Sequence, residues 1–399
     1  MKVSELPPAF SLDIELQDPN TIMTERLADT AFAGADTRIW TDSDETAAEA
    51  ACSPTRAGTA EAVAAARRWN GILASYRKPN DARSTLELLI TFIPFLCFWM
   101  LAWAALSVSY WASLVFIIPA AGFLLRLFAL QHDCGHGSFF KKRRVNDWVG
   151  RLIGVLTFTP YDVWKKDHAI HHSSSGNLEK RGTGDIETLT VQEYFSRTAF
   201  GRFRYRLYRN PITLFVLGPA YQFLIRHRWP LGDTKGRLAP WVSAMTTNLA
   251  ILVLSAIVIA FVGLIPFLLI QLPATLLAAT VGIWLFYVQH QFEETTWASS
   301  EDWDLNEAAL HGSSHYVLPG VLRWFTANIG VHHVHHLCSR IPSYRLPEVL
   351  RDHPTLANYG RLTLKDSFRC VNLSLWDEQE RRLISFQTAR RRRLQAGLA

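Results

Sequence analysis

Four long apolar runs, at residues 86–106, 111–130, 241–262 and 266–289, constrain this 399-residue chain more than any other feature. Each is about long enough to cross a hydrocarbon core of roughly 30 Å as a helix. Short links at 107–110 and 263–265 tie the runs into two pairs. The expected fold is an all-α multi-pass membrane protein with four transmembrane helices in two hairpins. Pro94, Pro119 and Pro273 fall inside the runs, where a lipid-embedded helix tolerates proline and kinks.

Charge sets the expected orientation. Arg77, Lys78 and Arg83 precede the first run, Lys141, Lys142, Arg143 and Arg144 follow the second, and Arg226, Arg228, Lys235 and Arg237 precede the third. The two links carry no Lys or Arg, so the positive-inside rule puts both termini and the long central loop in the cytoplasm. No secretory signal is expected, because the first apolar run of sufficient length begins near Leu86. Two shorter apolar stretches, 147–160 and 211–225, are too short to span and should lie in the interface, bringing the central loop down onto the bilayer.

The remaining composition fits this picture. The net charge of +6 is divided among span-flanking segments and the C-terminal tail, which points to a membrane surface and away from nucleic acid. The five cysteines are scattered without a C-x-x-C pair, and their odd number argues against a disulfide framework. Residues 1–80 read as a largely disordered cytoplasmic tail, acidic and rich in Ala, Thr and Ser as far as Ala66, with a surface helix over 61–74 as the alternative. Residues 81–355 read as the membrane domain and 356–399 as a basic cytoplasmic tail that includes Arg390–Arg393.

The histidines carry the chemistry. His132 and His136 stand four apart in QHDCGHGSFF, just past the second run; His168, His171 and His172 cluster in KKDHAIHH; His332, His335 and His336 cluster in GVHHVHHL; and His290 ends the fourth run in VQHQFEE. Positions three and four apart share a helix face, so each cluster can aim two or three imidazoles at one point. Imidazole suits iron, zinc, copper and nickel alike, so ligand type does not name the metal. Nine ligands exceed one tetrahedral zinc and match two metals with open positions, with two oxygen-binding irons as the leading reading.

With these residues in view, the chain resembles the membrane fatty acid desaturases of the acyl-lipid type, which carry three histidine boxes. Here the boxes read HDCGH, HAIHH and HHVHH, and the resemblance runs from about Leu86 to Pro347, including TGDIETLTVQEY, HQFEE and NIGVHHVHHLCSRIPSYRLPEVL. It implies that His132, His136, His168, His171, His172, His290, His332, His335 and His336 bind two non-heme irons in a cytoplasmic helical cap. It also implies that dioxygen is a co-substrate and that two hydrogens leave adjacent carbons of an acyl chain to give a cis double bond. A Δ12 or omega-6 regiochemistry fits the likeness best. The substrate is expected to be a membrane lipid or an acyl thioester.

Other residues receive smaller roles. His333 is the extra histidine of the third box and is expected to pack behind the ligands. His227, His311, His315 and His353 lie outside the boxes, with a supporting or channel role kept open for His311 and His315. Among Asp133, Asp167, Asp185 and Glu293, some should orient ligands, because a metal-bound imidazole usually donates its other N–H to a carboxylate or carbonyl. The run Lys141–Arg144 is a topology signal, or alternatively a docking patch for an acidic electron carrier. Neither tail shows a heme-binding pattern, so electrons are expected from a separate ferredoxin-like protein and its reductase. The rival readings are a membrane di-iron hydroxylase acting on alkanes or carotenoids, and a non-catalytic membrane metal-binding or transport protein. Transport sites sit near the midplane on broken helices, whereas these histidines lie beyond the ends of spans.

Overall fold

The computed structural model describes residues 60–182, 184–230 and 237–395, so the acidic stretch before Ala60 and the last four residues lie outside it. The expected spans are four helices, α2 (Asp81–Ala105), α3 (Tyr110–Gly135), α8 (Leu238–Val262) and α9 (Leu264–His290), each long and apolar enough to cross a membrane. Around them run α1 (Ala60–Leu73), α4 (Arg143–Leu156), α5 (Tyr161–Ser174), α6 (Val191–Ser196) and α7 (Ala199–Tyr208). Beyond α9 come α10 (Leu305–His311), α11 (Gly320–Phe325), α12 (His332–Leu337), α13 (Leu346–Asp352), α14 (Leu364–Cys370) and α15 (Phe386–Gln395).

The hairpins form for local reasons. Asn80 caps α2 by accepting from the Arg83 N–H, and Ser109 caps α3 by accepting from Ala112 N–H. Ser113 Oγ donates to the Ala102 carbonyl at 2.8 Å, closing the α2–α3 turn. In the second hairpin Gly263 turns the chain at φ +88°, a conformation that other residues rarely adopt. Pro94, Pro119 and Pro273 all lie inside continuous helices.

With 26 residues, α3 is about 39 Å long, and α9 with 27 is about 40 Å, so each overshoots a core of about 30 Å by some two turns. As the second arm of its hairpin, each ends on the same side, which is what puts the ends of both at one place. The buried half of α3 packs against α2, α9 and α4, whereas α8, which touches α4, α5 and α9, fully buries only Ser243 and Ala244. A buried ion pair crosses the packed spans: Glu87 of α2 pairs with Arg126 of α3, which also reaches the Trp324 carbonyl and stacks over its ring at 4.0 Å. The two interfacial stretches are helical too. Trp148 and Leu152 stand exposed on α4, and Ile212, Val216, Tyr221 and Ile225 stand exposed along 212–225, which contains two five-residue π-helical turns.

Both expected tails differ from the structure where it describes them. Helix α1 buries Ala62, Ala65, Ala66, Trp69 and Leu73, the last three in a core shared with α10, α12 and α13, so residues 60–80 belong to the folded cap rather than to a tail. The same holds for 356–395. There β3 (Arg361–Thr363) pairs in parallel with β2 (His315–Val317), while β4 (Leu375–Asp377) joins β5 (Arg382–Ile384) and the short β1 (Leu189–Thr190) in a three-stranded sheet. These small sheets qualify the all-α expectation without changing the architecture.

Candidate metal centre

Helix geometry decides which histidines meet. On α5, His168 and His172 are one turn apart and turn to one side, while His171 turns to the other; on α12, His332 and His336 form a similar pair beside His335. The result is two groups, five nitrogens from His132, His136, His168, His172 and His335, and four from His171, His290, His332 and His336, each set lying within 4.8 Å. All nine expected residues are brought together, including His290 at the end of α9. The groups adjoin, with the His172 and His336 rings stacked 4.0 Å apart.

In the first group the Nε2 atoms form a chain: His132 to His136 at 3.3 Å, His136 to His168 at 3.0 Å, His168 to His172 at 3.1 Å and His172 to His335 at 3.2 Å. In the second, His290 Nε2 stands 3.1 Å from His171 and 3.0 Å from His332. A neutral imidazole nitrogen either donates one proton or offers one lone pair, so no more than two of the four contacts in the first chain can be hydrogen bonds. Lone pairs converging on a cation satisfy all of them. Two nitrogens about 2.1 Å from one ion lie about 3.0 Å apart at a right angle and about 3.4 Å apart at the tetrahedral angle. The six contacts, from 3.0 to 3.3 Å, fall between these two values, the range expected of nitrogens that share an ion. In the second group His336 Nε2 is buried without a hydrogen-bond partner, an orphan that an ion would satisfy.

Electrostatics agrees. Burial first, and the neighbouring imidazoles second, hold His136, His168, His172, His332, His335 and His336 well below the ordinary histidine range. They are therefore neutral near pH 7, the form that binds metal.

The supporting layer is uneven. His171 Nδ1 meets Asp185 Oδ1 at 2.5 Å, and the other Asp185 oxygen is buried without a partner. His290 Nδ1 lies 3.3 Å from the Gly312 carbonyl. Asp133 accepts from the Ser343 N–H at 2.8 Å, tying the first box to the segment before α13. Asp167 and Glu293 do not orient ligands. Asp167 lines a cavity, its carboxyl raised by burial, and Glu293 is exposed and pairs with Arg382. His333 turns away from the ligands, donating from Nε2 to the Leu356 carbonyl at 2.8 Å, and His315 packs on its far side. His311 packs on Tyr359, His353 on Trp69 and Tyr76, and His227 meets Gln222.

A cavity of about 730 Å³ opens beside the centre. His132, His168, His332 and Gln289 line one end; Leu125, Phe128, Ala278, Ala279 and Gly282 line its length; and Thr275 lies farthest along α9.

A family model described as fatty acid desaturase matches residues 109–366, about two-thirds of the chain and all nine histidines. The chain belongs to the fatty acid desaturase family. This desaturase, an oxidoreductase, is 46% identical over 316 residues to a fatty acid desaturase of Bacillus subtilis (strain 168), covering 79% of this chain and 89% of that one. It is 27% identical over 265 residues to an sn-1 acyl-lipid omega-3 desaturase (ferredoxin) of Synechocystis, covering 63% and 70%. An sn-1 oleoyl-lipid 12-desaturase of the same organism is 29% identical over 238 residues, covering 55% of this chain and 62% of that one. The two histidine groups of the desaturase fit a di-metal site. Sequence reasoning had passed over two features of it: the cavity, and Trp164, whose ring lies 4.8 Å from that of His168 and stacked on it. The W-x-x-x-H spacing was the available signal for the second.

Proposed function

We propose that the nine histidines hold two iron ions and that the protein introduces a cis double bond into the acyl chain of a membrane lipid. The cavity carries this reading. Its volume of about 730 Å³ suits one large apolar ligand, and its wall follows α9 from Gln289 to Thr275, about 21 Å of helix. An acyl chain lying there reaches His132, His168 and His332 from within the bilayer, shielded from water.

When bound, an iron pair supplies the dioxygen-dependent oxidising chemistry that side chains lack. The two hydrogens leave the chain as two protons and two electrons, and two further electrons and two protons from elsewhere complete the conversion of dioxygen to two waters. The protein's part is to hold neutral imidazoles in place, to fix the His171 ring through Asp185, and to keep the chain dry. The outside electrons come from a separate ferredoxin-like protein and its reductase; one relative carries ferredoxin in its name. Both termini and the histidine centre face the cytoplasm, on the strength of the basic residues that flank the spans. For regiochemistry the proposal is a Δ12 or omega-6 type, supported by the likeness to the oleoyl-lipid 12-desaturase.

The test is a fatty acid profile from a host lacking such lipids, expressing the intact protein beside His171→Ala. A new unsaturated acid in the intact strain alone supports the proposal, and the bond position reads the regiochemistry. A hydroxylated chain would transfer the reading to a hydroxylase.

A further inference from the structure

Helix α7 presents an apolar face that the described residues leave uncovered. Thr198 caps the helix by accepting from the Gly201 N–H at 3.1 Å. Phe200, Phe203 and Leu207 are 68%, 60% and 54% exposed, and at about 100° per residue they fall within about 60° of one another. Arg204 and Arg206 flank this stripe on its two sides, while Tyr205, buried with Tyr194, Leu375 and Ile384, points the opposite way. The stripe therefore faces away from the protein. It continues through Ile212, Val216 and Leu217, all more than half exposed, and the Phe215 carbonyl among them accepts from Thr280 Oγ1 at 3.0 Å. Thr280 stands ten residues before His290, about 15 Å back along α9, so the continuation of the stripe runs at the depth of the spans.

Charge completes the pattern. Residues 197–209 hold five arginines and no acidic residue. Arg204 makes no hydrogen bond or ion pair among the described residues, and Arg206 is held by its Nε–H on the Tyr194 hydroxyl at 2.6 Å. Helix α15 packs on α7, with the Phe386 ring 5.8 Å from that of Tyr205, and leaves Arg390 and Arg391 exposed and likewise unpaired among the described residues. We propose that α7 is a docking helix for anionic phospholipid, with Phe200, Phe203 and Leu207 immersed at the bilayer surface, Arg204 and Arg206 on headgroup phosphates, and Arg390 and Arg391 adding to the attraction. The arginines alone would also suit an acidic protein; the aromatic stripe and its continuity with the lipid-facing segment select a bilayer. The dock is tied to the metal centre. Arg209, at the C-terminal end of α7, donates to the Glu187 carbonyl at 3.1 Å and to Gln291 Oε1 at 3.0 Å, two residues past Asp185 and one past His290.

The test uses the full chain in nanodiscs holding one copy or two, made of phosphatidylcholine alone or mixed with phosphatidylglycerol, and follows amide hydrogen exchange across residues 198–208. Exchange should be slower in the mixed discs, with one copy as with two, and high salt should remove part of the difference. An arginine near an anionic surface is worth about 1 kcal/mol, or about fivefold, so Arg204→Gln should lose about fivefold of the protection and Arg204→Lys should keep it. Phe203→Ser should lose protection as well. Both substituted side chains are exposed, and an unchanged unfolding midpoint checks that the variants are folded. Equal exchange in the two lipid compositions, or full protection retained in both Arg204→Gln and Phe203→Ser, overturns the inference. Slow exchange that appears only in discs with two copies assigns the face to a second copy of the chain and overturns it too.

Discussion

Replacing Asp185 by alanine should strip one metal ion from the centre well before the other. The carboxylate holds the fully buried His171 through a 2.5 Å contact at Nδ1, which leaves Nε2 turned towards His290 and the four-histidine group. Residues behind a metal ligand are typically worth about 10–100-fold in affinity, or about 1.4–2.7 kcal/mol. The upper end applies to Asp185→Ala, since the carboxylate is the only polar partner of His171 Nδ1 among the described contacts. Asp185→Asn still offers an oxygen to the Nδ1–H but loses the charge, and should cost about half as much. The assay is metal per protein against rising chelator concentration. Wild type should hold two ions over a broad range, Asp185→Ala should fall to one at a chelator level about 10–100-fold lower, and the remaining ion should resist as in wild type. An alanine variant that matches wild type throughout, or that loses both ions together, refutes the assignment of Asp185 to one group.

Three further expectations concern stability. Arg126→Met leaves the buried Glu87 carboxylate with Arg83 as its remaining charged partner and should cost about 3 kcal/mol, whereas the double change with Glu87→Gln should recover part of that in chemical unfolding. Burial lowers the His311 imidazole to about 4, so below pH 6.5 the unfolded chain binds a proton that the folded chain refuses. The His311 share of stability should therefore fall as pH drops from about 6.5 towards 4, by up to about 1.4 kcal/mol per pH unit, and His311→Phe should make the acid limb shallower by that share in thermal unfolding of the metal-free protein, the other buried histidines keeping the rest of the slope. Gly150→Ala would drive a Cβ to 2.2 Å from the Tyr161 ring and should cost about 1–3 kcal/mol, read as a lowered unfolding midpoint.

The membrane scaffold and the ligand histidines were legible because each is announced by a local period. A span is a continuous apolar run, and a helical metal cluster repeats at three and four residues. What escaped was contact between distant segments. Trp69 looks like any tail residue until α10, α12 and α13 cover it, and Leu375 and Ile384 look like tail residues until β4 and β5 pair. Asp167 directly precedes His168 in sequence and Asp185 lies thirteen residues beyond His172, yet of these two only Asp185 reaches a histidine, which sequence proximity does not announce. His333 was expected behind the ligands and lies outside both histidine groups, but box spacing does not say that β2 and the Leu356 carbonyl are what it meets there. Glu87 and Arg126 were hidden inside apolar runs, each meaningful only once α2 and α3 are side by side.

The central claim is that these histidines hold a pair of irons, and the most direct measurement is metal identity and stoichiometry in the purified full-length protein beside His290→Ala. The account predicts two irons per chain in the intact protein and a loss from the four-histidine group in the variant. One ion per chain, a metal other than iron in protein that makes double bonds, or unchanged metal content in His290→Ala would contradict it.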